Sequence, residues 1–201
     1  RRLVKDPSYS DLCDGADLVV ADGMPVVWAA RLAGRRLPER VAGSSMVRTL
    51  SEVAAKGGRS IYLLGGEGDS CDRAAATLQQ DYPGLIVAGA YSPPYGFEKD
   101  PEQMQAIRDR LVDAKPDIVY VALGSPKQEK LIVELRDLLP TAWWLGVGIS
   151  FSFITGDVKR APIWMQKTGL EWVHRLAQEP KRLAKRYLVH GIPFAVELFV
   201  R

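Results

Sequence analysis

Leu123-Gly124-Ser125-Pro126-Lys127-Gln128-Glu129-Lys130 is the stretch whose reading decides the fold. The run before it, Asp117-Ile118-Val119-Tyr120-Val121-Ala122, has the composition of a buried strand. The run after it, Leu131-Ile132-Val133-Glu134-Leu135, has helical spacing. Between them, Ser125 suits a helix cap and Pro126 suits the first helical position. Lys127, Gln128 and Glu129 then fall in the first helical turn, at the carboxyl end of a strand. Open α/β sheets bind ligands at that end. Free backbone N–H groups there favour a phosphate. A cation, an amide and a carboxylate together can hold a phosphate and a sugar or base. The same residues also suit an ordinary capped surface helix.

Working outward, the same alternation recurs. Ala16-Asp17-Leu18-Val19-Val20-Ala21 reads as a short strand, followed by an apolar helix over 26–32 that closes at Gly34. A helix over 44–56 starts at Ser44 or Ser45 and stops at Gly57-Gly58. Strands over 60–64, 85–90, 117–122 and 142–147 alternate with helices ending near Gln80, spanning 101–114 and spanning 126–137. This pattern predicts an α/β, Rossmann-like, mostly parallel sheet covered by helices on both faces. From Asp157 the chain turns basic and Trp-containing, with breaks at Pro162, Pro180 and Pro193. The expected organisation is a body over 1–156 and a helical appendage over 157–201.

Charge supports that division. Residues 158–201 carry nine Lys or Arg against three Glu, while the rest carries eighteen against twenty-one Asp or Glu. A basic tail on a near-neutral body points to an anionic partner surface, membrane or nucleic acid. No RNA-recognition motif is present, so a membrane is the favoured partner and no nucleic acid is expected. Arg175, Arg182 and Arg186 share one face if the tail is a single helix, interleaved with Trp172, Leu176 and Tyr187. Cations beside apolar and aromatic groups suit headgroups and acyl chains. A solvated basic face is the plainer alternative. Cys13 and Cys71 lack a metal spacing and read as free thiols. No apolar run is long enough to span a bilayer, and no signal peptide is recognisable. The first residue is Arg1, so the chain is expected to begin inside a longer protein.

Three further constellations sit at strand ends. Asp22-Gly23 combines a carboxylate that can serve as general base with a glycine that admits close approach. By position alone, the plainer reading of Asp22 is a cap for the helix at Met24. Gly65-Gly66-Glu67-Gly68 resembles part of a dinucleotide fingerprint, but Cys71 holds its third position and no acid follows near 86–90. NAD binding is therefore disfavoured, and a glycine turn near a nucleotide phosphate remains. Gly146-Val147-Gly148 repeats that logic after the last strand.

Together these motifs resemble the bacterial WecG/TagA/CpsF glycosyltransferases. The matching pieces are Ala21-Asp22-Gly23-Met24-Pro25-Val26-Val27, Tyr62-Leu63-Leu64-Gly65-Gly66, Gly124-Ser125-Pro126-Lys127-Gln128-Glu129, Gly146-Val147-Gly148 and Gly169-Leu170-Glu171-Trp172 through Arg175-Leu176. They follow the family's order from Asp17 onward. The resemblance implies inverting transfer of a sugar from a UDP-sugar to a polyprenyl-diphosphate-linked sugar on the inner face of the membrane. It implies Asp22 as general base and Gln128 and Glu129 at the nucleotide-sugar site. Gly23, Gly65, Gly66, Lys127 and Gly148 are expected to line the substrate. It also implies that Arg175, Arg182 and Arg186 reach the lipid diphosphate and membrane.

No cofactor and no metal are expected, because no Asp-x-Asp motif is present. Helix N-termini and Lys127 can stabilise the departing diphosphate instead. The expected location is cytoplasmic and peripheral, and a homo-oligomer is compatible with the resemblance. Two departures stand out. The family has an N-terminal portion with a Thr or Asn near the site, which this chain is expected to start too late to contain: either the chain is a fragment or part of the site is absent. Phe151-Ser152-Phe153 stands where the family often has Phe-Asp-Phe, which leaves the donor sugar open. A non-catalytic nucleotide-sugar or membrane-binding module is the alternative from another class.

Overall fold

The computed structural model describes residues 2–200, without the side chains of residues 2, 3, 167, 186 and 198–200. In chain order the helices are α1 (Arg2–Lys5), α2 (Pro7–Asp14), α3 (Met24–Leu32), α4 (Gly43–Gly57), α5 (Ser70–Asp81), α6 (Pro101–Ala114), α7 (Lys127–Leu135), α8 (Ser150–Ile154), α9 (Ile163–Lys167), α10 (Glu171–Gln178), α11 (Pro180–Ala184) and α12 (Ile192–Val200). The strands are β1 (Ser60–Gly65), β2 (Ile86–Tyr91), β3 (Ile118–Ala122) and β4 (Trp143–Gly146). Two compact units result: Gly43–Asp157, and Arg1–Ala42 together with Val158–Arg201.

The Gly43–Asp157 unit is the expected α/β layer structure. Its four strands pair in parallel in the order β2-β1-β3-β4. Alternation along each strand sends side chains to opposite faces. Ile61, Leu63, Tyr120 and Ala122 pack with Val47 and Ala54 of α4, Ala74 and Leu78 of α5, and Phe151 of α8. Tyr62, Leu64, Val119 and Val121 pack with Met104, Ile107 and Leu111 of α6 and Leu131 and Leu135 of α7. The helix after β1 therefore covers one face and the helix after β3 covers the other. The neighbouring ends of β1 and β3 form a topological switch point, where such sheets open a crevice.

The other unit departs from the sequence reading. Residues 1–42 group with the C-terminal helices, not with the sheet. Residues 16–21 form no strand. Leu18 and Val19 are 77% and 63% exposed, so the apolar run lacks the burial that would make it a core strand. A backbone bond from Val41 N–H to the Ala21 carbonyl, 2.9 Å, ties down the end of this segment. Near the C-terminus, Pro193 does not break the helix. A wide π-type segment, Lys185–Gly191, leads directly into α12. A proline lacks the N–H for an ordinary helical bond, and a widened turn absorbs that loss. α12 packs against α3, and Lys5 pairs with Glu197 at 2.6 Å.

The start of α7 also differs in detail. Pro126 occupies the cap position, after a cis Ser125–Pro126 bond, and the helix begins at Lys127. Ser125 thus stands one residue before the cap position.

Gly65 shows how tightly the strand ends close. Its φ is +104°, and a Cβ there would lie 2.7 Å from the Ala122 carbonyl oxygen. Gly68 has φ +56° but open space around it. Gly65→Ala should therefore cost about 2–4 kcal/mol from strain plus overpacking, and Gly68→Ala about 1 kcal/mol from strain alone. Urea unfolding of both variants checks the order; equal costs would contradict the close approach.

Candidate active site

At the switch point, the ends of β1 and β3 are stitched together. Gly66 N–H donates to the Ala122 carbonyl at 2.8 Å. Gly65 and Gly66 both take positive φ, +104° and +84°. The Ser92 hydroxyl donates to the Gly65 carbonyl at 2.9 Å, and Glu67 N–H donates to the Ser70 hydroxyl at 2.9 Å. Ser70 and Ser92 hold the glycine turn, and neither stands out in the sequence. Cys71, in the third fingerprint position, is fully buried against the Leu63 carbonyl. Burial pushes its thiol up to about 12, so it is a packing residue rather than a nucleophile.

Gln128 points inward. It is 8% exposed, and its Oε1 accepts from Gly148 N–H at 3.0 Å. Its Nε2 donates to Glu129 Oε1 at 3.1 Å. A Cβ on Gly146 would meet Gln128 Nε2 at 2.7 Å, so glycine there makes room for the amide. The structure thus gathers Gly65, Gly66, Gln128, Glu129 and Gly148 at the carboxyl edge of one sheet. Lys127 turns the other way. Its ammonium pairs with Glu98 at 2.6 Å and lies 5.2 Å from the centre of the exposed Tyr95 ring. Glu98 lies below the usual carboxylate range because Lys127 donates to it, and Lys127 is raised by the same bond. The pair is exposed to solvent, which screens it, so it is a weak tether for Lys127. Phe97, Glu98, Met104, Lys127, Lys130, Leu131 and Glu134 line a groove of about 280 Å³ beside it.

In the other unit, Asp22 and Gly23 precede α3. Asp22 has an open surface, yet desolvation by its surroundings raises its pKa above 3.8. Arg40 lowers it, Glu171 raises it, and Arg175 and Arg160 lower it. Glu171 pairs with Arg40 at 2.9 Å and lies 3.8 Å from Arg160. Arg40, Arg160 and Glu171 escape the sequence reading of the site. Arg40 and Glu171 are 131 residues apart, and only their meeting in space gives them meaning.

Arg175 and Arg182 of the basic tail separate. α10 ends at Gln178, and Glu179 is non-helical at φ −130°, ψ 58°. Arg175 and Arg182 therefore sit on different helices and do not share the continuous face that a single helix would give. Arg175 is half-buried and acts on Asp22, whereas Arg182 is exposed and pairs with Glu179. The side chain of Arg186 lies outside the described residues. Among the described residues no helix is long and apolar enough to cross a membrane, and no group of three or more His, Cys, Asp or Glu is placed to hold a metal.

A sequence profile of the Glycosyl transferase WecG/TagA/CpsF family matches residues 1–201. The chain belongs to that family. Among WecG/TagA/CpsF relatives, it is 37% identical over 179 residues to the N-acetylglucosaminyldiphosphoundecaprenol N-acetyl-beta-D-mannosaminyltransferase of Bacillus subtilis (strain 168), covering 89% of this chain and 68% of the relative. A protein of the same description from Bacillus spizizenii is 34% identical, covering 89% and 67%. The family resemblance drawn from the ordered motifs therefore holds.

The raised pKa of Asp22 fixes the sign of a pH effect. The native state holds this proton more tightly than the unfolded chain. Its contribution to stability is fully present below pH 3.8 and is lost as pH rises through the raised value. Asp22→Asn removes that loss, so its melting temperature at neutral pH should equal or exceed that of the wild type. Thermal melts across pH 4–8 check this; a lower melting temperature at neutral pH would show that the charged carboxylate stabilises the fold.

Proposed function

We propose that the protein moves a sugar of N-acetylmannosamine type, or another hexose, from a UDP-sugar to a polyprenyl-diphosphate-linked acceptor. Such transfer serves cell-surface polysaccharide or teichoic acid synthesis. The observation that carries the reading is the Asp22 carboxylate, raised in pKa and acted on by Arg40, Arg160 and Arg175, in a chain of this family. The relatives' names support the choice of lipid-linked acceptor and mannosaminyl group.

In this reading the acceptor hydroxyl oxygen attacks the anomeric carbon. The bond from that carbon to the diphosphate oxygen breaks, UDP departs with the electron pair, and the hydroxyl proton passes to Asp22. A carboxylate with a raised pKa is a stronger base, which favours this proton transfer. The glycine turns after β1 and β4 and the start of α7 suit the donor, since backbone N–H groups and Lys127 offset the charge on the leaving diphosphate. Gln128 acts there through the Gly148 turn as much as by direct contact. No metal is required in this scheme.

The C-terminal helices suit an anionic bilayer surface at the inner face of the membrane. Ile163, Trp164, Val189 and Val196 are 57–70% exposed, and the C-terminal helices also carry the exposed Lys181, Arg182 and Lys185. Apolar groups together with cations match that interface.

A turnover assay with UDP-N-acetylmannosamine and a soluble acceptor analogue tests the chemistry. Asp22→Asn should slow transfer by about 10²–10⁴-fold while the donor still raises the melting temperature, and a chelator should leave the wild-type rate unchanged. Near wild-type transfer by Asp22→Asn would remove Asp22 as base. For the membrane, Arg182→Glu should weaken sedimentation with anionic vesicles, since each cation contributes about 1 kcal/mol. Unchanged binding would remove Arg182 from that surface.

A further inference from the structure

An ion pair joins Arg40 to Glu171, each side chain only 15% exposed. Glu171 opens α10 and presents both carboxylate oxygens. Oε2 accepts from Arg40 Nη1 at 2.9 Å, and Oε1 lies 3.8 Å from Arg160 Nε. The backbone bond from Val41 N–H to the Ala21 carbonyl aligns the segment carrying Arg40 with the segment carrying Asp22. Asp22 and Arg40 are the residues immediately next to that bond. One carboxylate thus ties together three stretches of chain that meet at the Asp22 loop.

A surface pair would need no function, because such pairs contribute little. This pair is different in two respects. It is largely withdrawn from water, where removing one partner leaves the other charge uncompensated. It also sits where three arginines, Arg40, Arg160 and Arg175, act on one carboxylate. Three cations alone would make that carboxylate a weak base. A second negative charge among them restores its basicity while fixing where the cations point.

We propose that Glu171 is a positioning residue for the transfer reaction: it clamps Arg40 and Arg160 in place and offsets their charge at Asp22. The proposal rests on the reading of Asp22 as the general base. The charged groups acting on Asp22 are Arg40, Glu171, Arg175 and Arg160, and of these Glu171 alone is negative. Its removal lowers the pKa of Asp22, so the acidic limb of the rate profile moves to lower pH. It also releases the two guanidinium groups, so the plateau rate falls.

The test measures kcat and KM for the donor against pH in wild type, Glu171→Gln, Glu171→Asp and Asp22→Asn. Glu171→Gln should move the acidic limb to lower pH and lower the plateau kcat by roughly tenfold to a hundredfold, with donor KM little changed. Glu171→Asp keeps the charge but shortens the reach, so its limb should stay near that of the wild type while its plateau falls. If Glu171→Gln does not fold, Glu171→Asp alone decides, by its plateau measured on folded protein. A Glu171→Gln variant with wild-type limb and plateau overturns the proposal. So does a fall in melting temperature with no change in kcat per folded molecule, which marks a purely structural pair. Asp22→Asn separates the two claims. If it retains transfer, the reading of the base fails; if it is inactive and the Glu171 variants match the wild type, only the role of Glu171 fails.

Discussion

Gly148 gives its backbone N–H to Gln128 Oε1, and much of the sheet's carboxyl edge follows from that bond. A parallel sheet sends every strand tip to one side, where tight turns must pass each other without stranding polar groups. Here a side chain from the helix after β3 satisfies the turn after β4. Its approach is possible because Gly146 has no Cβ to obstruct the amide. On the other side of β3, Gly66 N–H reaches the Ala122 carbonyl, and Gly65 again lacks the atom that would collide. Three adjacent strand tips are thereby fixed to one another, and short polar turns face outward from a rigid base.

The unit formed by residues 1–42 and 158–201 is held by different forces. Among the described residues, few of its apolar side chains are buried, Ala42, Ala161 and Leu183 among them, and many remain exposed. Backbone pairing at Ala21 and Val41, and close packing of Gly169 on Trp28, do part of the holding. A Cβ on Gly169 would come within 2.7 Å of that indole, and its φ is +74°. Charge does the rest. Two carboxylates and three guanidinium groups act on one another at the Asp22 loop, with Glu171 at the centre. Such a cluster costs desolvation, and sites that shift a titratable group in this way are functional candidates on physical grounds.

The sheet was legible because its signals are local. Apolar runs of five or six residues, each followed by glycine and then by helical spacing, admit few arrangements, and β1 to β4 fall close to their expected places. The glycine turns and the Lys127-Gln128-Glu129 turn could be read as strand ends for the same reason. What escaped depends on partners distant in the chain. The inward turn of Gln128 needs Gly146 and Gly148, eighteen and twenty residues on. Arg40 lies in no motif, and Glu171 lies in one without an evident role, until the chain brings the two together. The run at 16–21 misleads in the opposite direction: its residues are strand formers, but Leu18 and Val19 stay largely exposed. The break expected at Pro180 is present, with Glu179 between two helices, and it removes the shared face that Arg175 and Arg182 would have on a single helix.

The central claim is a single direct displacement at the anomeric carbon, driven by a carboxylate base and a departing diphosphate. Its stereochemistry is the most direct witness. The sugar in a UDP donor of this type is α-linked, so one displacement must give a β-linked product. The coupling of the anomeric proton and carbon in the isolated product, read by NMR, reports the configuration without reference to any mutant. A β linkage is the result the account predicts; an α linkage would mean retention and would contradict it.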